Sequence, residues 1–228
     1  MRVMSSAAQR ISIHVNDQQT VSGLVQGPGK PEACFVFAHG AGAGMEHGFM
    51  QAVADGLARR AVATLRFQFP YMESGSSRPD VPAVAHRAVR AAVSTASELF
   101  PDVPLFAGGK SFGARMTSQA QAKAPLPSVQ GLVFLGFPLH PDGKPSIERA
   151  EHLDGVAVPM LFLQGTRDGL ADIDLVTAVT TRLAALATLV KVAEADHSFH
   201  VLKRSGRSDE EVMEQLLDVA AGWMIALR

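Results

Sequence analysis

A single cysteine, Cys34, stands among 228 residues. No disulfide can form within the chain, and the apolar run around Cys34 marks it as a small buried hydrophobe. Neither sign of charge dominates: 21 Lys and Arg meet 22 Asp and Glu, for a formal net charge of −1. That balance supplies no basic field for nucleic acid or for an anionic membrane. No apolar run nears the ~18 residues of a spanning helix, and Met1-Arg-Val-Met-Ser-Ser-Ala-Ala has no apolar core of signal-peptide length. A cytoplasmic protein is expected. Repeats, low-complexity segments and dividing linkers are also missing, so residues 1–228 read as a single domain. Hydrophobic content of 47% and charged content of 19% fit an ordinary globular chain with one sizeable core.

What is present is an alternation. Residues 11–15 and 21–25 alternate apolar and polar around the turn Asn16-Asp17-Gln18-Gln19, which predicts an N-terminal antiparallel hairpin. Gly27-Pro28-Gly29-Lys30-Pro31 breaks the chain. Short, nearly continuous apolar runs then follow at 34–38, 62–67, 105–107, 132–135, 160–163 and 189–192. Helical patterns separate them at 49–60, 83–100 and 173–185, with a last helix from Ser208, whose spacing to Glu211 makes a capping box. The stripes expected to be buried are Val84, Ala88, Ala92, Ala96 and Phe100, and Val212, Leu216, Val219, Trp223 and Leu227. The fold class implied is α/β: a mostly parallel sheet with helices on both faces and an antiparallel hairpin at its start.

The chain is organised around residues 104–116. An apolar strand runs into Gly109-Lys110-Ser111-Phe112-Gly113, a G-x-S-x-G pattern, and a helical segment follows. A serine on a sharp strand-to-helix turn needs neighbours two before and two after it that are nearly free of side chain. Such a turn exposes the Ser111 hydroxyl and places the Phe112 N–H to stabilise an oxyanion. A structural serine in a tight turn and a phosphate-binding loop are the rival readings, but for the latter neither Pro104 nor Leu105 is the glycine that loop needs. Lys110 is expected to point away from Ser111.

His39-Gly40-Ala41-Gly42-Ala43-Gly44 follows the first parallel strand, and its glycines fall as G-x-G-x-G with Met45 next. The dinucleotide fingerprint G-x-G-x-x-G is therefore not met, and no cofactor or metal is expected. The loop suits the second half of an oxyanion hole, with a backbone N–H near Ala41, and His39 reads as a brace for it. Asp168 lies just past one late strand and His197 follows the last. The order Ser111, Asp168, His197 is the nucleophile–acid–histidine order of one architecture. His200 and Asp142 are the competing base and acid.

These motifs together resemble the α/β-hydrolases. The resemblance is narrower toward small bacterial members related to dienelactone hydrolase and to testis-expressed protein 30. It rests on Ala38-His-Gly-Ala-Gly-Ala-Gly44, Leu65-Arg-Phe-Gln-Phe-Pro-Tyr71, Ala107-Gly-Gly-Lys-Ser-Phe-Gly-Ala-Arg115, Leu163-Gln-Gly-Thr-Arg-Asp168 and Ala195-Asp-His-Ser-Phe199. It implies Ser111 as nucleophile, His197 as base and Asp168 as its partner but supplies little on the substrate; Ala114 stands where that group often has a further glycine. The expected function is a serine hydrolase acting on a small ester or thioester through an acyl-enzyme. Residues 136–159 are too few for a cap domain, so an open site is expected, with Ser111 at the floor of a cleft walled by the Ala41, 68–71 and 137–140 loops. Met45, Phe69, Tyr71 and Phe137 are candidates to line the substrate pocket. Arg66 and Arg167 read as ion-pairing residues of loops ahead of partners for a substrate carboxylate. An interaction protein on the same fold and an acyltransferase are the alternatives, and the oligomeric state is left open.

Overall fold

The apolar runs become the inner strands of an eight-stranded sheet. The structure, a computed structural model, describes residues 7–227; Met1–Ser6, on which much of the no-leader expectation rests, lies outside them. The strands are β1 (Gln9–Asn16), β2 (Gln19–Gln26), β3 (Ala33–Ala38), β4 (Val62–Phe67), β5 (Leu105–Lys110), β6 (Val129–Leu135), β7 (Met160–Gly165) and β8 (Ala187–Val192). Their order is β1-β2-β4-β3-β5-β6-β7-β8. β1 pairs antiparallel with β2 and β2 with β4, and every later pair is parallel. The chain steps from β3 outward to β4 and then returns past β3 to β5. This reversal opens a crevice at the carboxyl ends of β3 and β5, where such sheets place ligands.

Alternation along each parallel strand divides the core into two layers. On β3, Cys34, Val36 and Ala38 face one way and Ala33, Phe35 and Phe37 the other. The first layer is covered by α3 (Pro82–Leu99), α4 (Phe112–Lys123) and α5 (Ile173–Arg182), the second by α1 (Gly48–Ala58) and α6 (Asp209–Ala226). A four-residue helix, α2 (Pro70–Glu73), follows β4. Burial on both faces explains why these strands read as apolar runs rather than alternating ones. Cys34 is fully buried, and burial pushes its thiol pKa well above the ordinary value. Among the described residues no helix is long and apolar enough to cross a membrane.

The helical stripes are wider than expected and turned slightly. α3 buries Ala85, Ala88, Val89, Ala92, Val93 and Ala96, while Val84 is only half-buried. α6 buries Val212, Leu216, Leu217, Ala220, Ala221 and Met224; Trp223 flanks this face and Leu227 is exposed. A helix lying on a sheet covers more than one row of side chains, which a single four-residue stripe misses. β5 also runs three residues past the expected Ala107. Gly108, Gly109 and Lys110 pair with Val133, Phe134 and Leu135, because ladder bonds need no side chain. That extension carries the strand right up to Ser111.

The capping box is present at α6: Ser208 Oγ accepts from the Glu211 N–H at 3.2 Å, and Glu211 Oε2 accepts from the Ser208 N–H at 2.8 Å. Ser208→Ala should lower stability by ~1 kcal/mol, read as a lower urea midpoint with unchanged slope, whereas Ser208→Asp should retain most of it. Equal midpoints for the parent and the alanine variant would show that α6 is held by packing alone.

Candidate active site

Ser111 stands between β5 and α4 at φ 52°, ψ −112°, a backbone conformation that a non-glycine residue adopts only under constraint. The constraint is close packing on both sides. A Cβ on Gly109 would stand 2.4 Å from the Ala38 carbonyl oxygen and 2.8 Å from the Gly113 carbonyl carbon; one on Gly113 would stand 2.4 Å from that same oxygen. Either side chain would drive α4 off the end of β3, which is the physical content of the glycines two before and two after the serine. The Ser111 N–H is held by the Leu135 carbonyl at 3.3 Å. Its side chain makes no capping bond to α4 and is free to turn outward.

It turns toward His197. Nε2 of His197 lies 2.9 Å from Ser111 Oγ, and Nδ1 lies 2.7 Å from Asp168 Oδ2. A carboxylate only accepts, so Nδ1 carries the proton and Nε2 accepts the hydroxyl proton of Ser111. Asp168 is buried and firmly placed. Its Oδ2 also accepts from Gln164 Nε2 at 2.6 Å, and its Oδ1 from the Leu170 N–H at 2.8 Å. Gln164 Oε1 in turn accepts from the Phe137 N–H at 3.0 Å. The sequence reading overlooked Gln164; the available signal was one amide in an otherwise apolar strand end. The competing residues lie elsewhere: His200 pairs with Asp209 at 2.8 Å, and Asp142 is exposed on the loop beyond His140.

The loop after β3 is braced by a neutral histidine. His39 Nε2 accepts from the Phe69 N–H at 3.1 Å, which leaves Nδ1–H to donate to the Gly40 carbonyl at 2.7 Å. Burial disfavours the imidazolium and pushes the His39 pKa down to about 4. The Gly42 N–H donates to the Tyr71 hydroxyl at 2.9 Å, and the Ala43 N–H to the Gly40 carbonyl at 3.2 Å. Among the described residues the N–H groups of Ala41 and Phe112 have no protein acceptor. The loop abuts the serine: a Cβ on Gly40 would stand 3.8 Å from that of Ser111.

Residues 31–225 match the family model described as the alpha/beta hydrolase domain. The chain belongs to the α/β hydrolase family. Solved structures agree with the fold. A serine hydrolase homologue from Coxiella burnetii superposes with a TM-score of 0.73 at 19% identity, covering 96% of this chain and 99% of that one. A lid-less serine hydrolase from Xanthomonas campestris gives 0.73 at 19%, covering 98% of both. A dienelactone hydrolase from Anabaena variabilis gives 0.75 at 19%, covering 96% and 97%.

In this α/β hydrolase Ser111 opens onto a cleft of about 510 Å³. Ala41, Phe49, Met50, Lys110, Leu170 and Ser198 contribute to its walls. The residues chosen from sequence as pocket candidates are not among those lining it. Met45, Phe69, Tyr71 and Phe137 are all buried in the core. Phe69 and Tyr71 set their rings edge-on against Phe112, at 5.2 and 6.3 Å, and Phe137 packs on Phe134 and Phe162. α2 turns Phe69 and Tyr71 inward, so the first turn of α1 supplies the wall expected of the 68–71 loop. Residues 137–140 are likewise buried and line no part of it. Lys110 does not contact Ser111, yet it does line the cleft and donates to the His197 carbonyl. Arg66 forms no ion pair among the described residues: it is fully buried, donating to Gln26, Gln51 and the Met45 carbonyl. Arg167 donates to the Glu194 carbonyl. Other hollows of about 470 and 490 Å³ sit at the strands' amino ends around Pro101 and hold no such hydrogen-bonded line. Among the described residues no group of three His, Cys, Asp or Glu could hold a metal ion.

Because its folded pKa is depressed, His39 contributes stability that is complete above about pH 6.5 and is lost as pH falls through about 4. The loss is on the order of 3 kcal/mol. Urea unfolding of the parent and His39→Gln between pH 7 and 4 should show the parent's advantage shrinking across that window. An advantage that stays constant with pH would rule the buried neutral imidazole out as the cause.

Proposed function

We propose that the protein is a serine hydrolase that cleaves a small carboxylic ester or thioester through an acyl-enzyme. The observation that carries this reading is the line Ser111 Oγ, His197 Nε2, His197 Nδ1, Asp168 Oδ2, at 2.9 and 2.7 Å, built on a constrained serine. In this mechanism His197 takes the Ser111 proton as Oγ attacks the carbonyl carbon. The Phe112 and Ala41 N–H groups receive the developing oxyanion. The imidazolium then protonates the leaving alcohol or thiol, and Asp168 holds the tautomer and stabilises the charge throughout. A water molecule, deprotonated by His197, repeats the attack and releases the acid. Solved structures of a dienelactone hydrolase and of an esterase domain share the fold, which supports this class of chemistry. Phe49, Met50 and Leu170 give the cleft an apolar wall suited to a short acyl or alkyl group.

A fluorophosphonate probe should label the parent on Ser111. With a short-chain p-nitrophenyl ester, Ser111→Ala and His197→Ala should each lose on the order of 10⁴-fold or more in kcat/KM. The double variant should lose little further, because the two residues act as one unit. Asp168→Asn should cost on the order of 10⁴-fold, since Nδ1 then meets a donor in place of a carboxylate. Turnover that survives Ser111→Ala, or failure of the folded parent to label, would overturn the reading.

A further inference from the structure

The strand-to-helix turn at Ser111, the elbow, contains one residue that the proposed chemistry leaves unused. Lys110 closes β5 immediately before Ser111, and its half-buried side chain lines the cleft. Nζ donates to the main-chain carbonyl of His197. It also lies over two stacked rings, 5.9 Å from the centroid of Phe49 and 5.3 Å from that of Phe199, positions in which a cation is attracted to the ring faces. Among the described residues no carboxylate is paired with it. Burial without a direct counter-ion lowers its pKa to about 8, against the pull of Asp168 and Asp196 farther off. A cation kept in such a place is costly, and an apolar side chain of similar length would pack there without that cost.

The loop carrying His197 shows where the benefit falls. It follows β8 and crosses the end of β6, where Gly136 stands at φ 68°. A Cβ on Gly136 would come 2.9 Å from Lys110 Nζ and 3.6 Å from His197 Cε1. Asp196 caps the loop internally, accepting from the Ser198 and His200 N–H groups at 2.8 and 3.0 Å. Only two bonds tie it to the elbow among the described residues: the one from Ser111 Oγ to the imidazole and the one from Lys110 to the main chain of the same histidine.

We propose that Lys110 is a positioning residue for His197. Its ammonium, clasped by Phe49 and Phe199, fixes the His197 carbonyl and keeps the imidazole in line with Ser111 Oγ. Adjacent residues of one strand end thus set both partners of the proton transfer, the nucleophile through its own backbone and the base through the neighbouring side chain. The crowding at Gly136 explains a slim ammonium rather than a guanidinium. This inference rests on the hydrolase reading above.

Lys110→Met keeps length and removes the donor. Its kcat should fall about 10- to 100-fold, the scale of a small misplacement of a reacting group. KM should stay unchanged, for neutral p-nitrophenyl acetate and anionic mono-p-nitrophenyl succinate alike. In a His197→Ala background the same substitution should not slow fluorophosphonate labelling of Ser111 further, because the residue it acts through is gone. A raised KM for the anionic ester alone would make Lys110 a substrate contact and overturn the proposal. So would additional loss in the His197→Ala background, or a Lys110→Met enzyme as fast as the parent beside an inactive His197→Ala. If His197→Ala itself retains turnover, the hydrolase reading falls first. Where Lys110→Met yields little folded protein, Lys110→Cys gives the comparison within one preparation. Bromoethylamine converts that thiol to an aminoethyl thioether with the reach of lysine, while Cys34 is shielded by complete burial. Activity should return on alkylation, and failure to return would count against the proposal.

Discussion

The hydrogen bond between His197 and Ser111 has to pass over a strand. Ser111 follows β5 and Asp168 follows β7, and β6 lies between them in the sheet. Neighbouring strands stand roughly 4.8 Å apart, so an imidazole reaching from the β7 side to the β5 side spans the end of the strand between. It can do so only where that end is bare, and Gly136 supplies the gap. The same requirement fixes the depth at which β5 must deliver its serine. Gly109 and Gly113 meet it by letting α4 settle against the Ala38 carbonyl. Three glycines, one in β5, one in α4 and one just past the end of β6, thus serve one bond.

Sheet and elbow were legible in the sequence because their causes are local. Residues 62–67 form β4 with the expected bounds, bracketed by Ala61 in the left-handed region and by the turn into α2. The glycine spacing around Ser111 and the chain order of acid and histidine likewise need no knowledge of distant residues. What escaped depends on direction. Loop 68–71 was expected to wall the cleft, but only the short helix shows that Phe69 and Tyr71 turn inward, onto Phe112. Where Lys110 goes once it turns from Ser111 was hidden for a similar reason. Its partners Phe49, Phe199 and the His197 carbonyl come from opposite ends of the chain, and no pattern near position 110 announces them.

The polar groups around the site form a scaffold rather than a second set of reactive groups. His39 ties the Gly40 carbonyl to the start of the 69–73 turn, Tyr71 returns a bond to Gly42, and Gln164 joins Asp168 to the Phe137 backbone. Each bond fixes a loop that emerges from a different strand. Loops so pinned lose little further conformational freedom when a ligand arrives, which is how a site made of strand ends can hold its geometry beforehand.

Residues 136–159 carry a short 3₁₀ stretch, Glu148–Gly155, that lies along α4 and leaves Ser111 half-exposed. Nothing among the described residues encloses the cleft. An acyl group esterified to Ser111 would therefore meet bulk solvent as soon as the first product leaves. Water needs no binding site to reach such an ester, whereas any other acceptor must dwell in the cleft long enough to compete. On the proposed acyl-enzyme reading, the partition between hydrolysis and acyl transfer would be governed by the residence time of a second substrate and not by a gate, which would weight an uncapped enzyme of this shape toward releasing free acid.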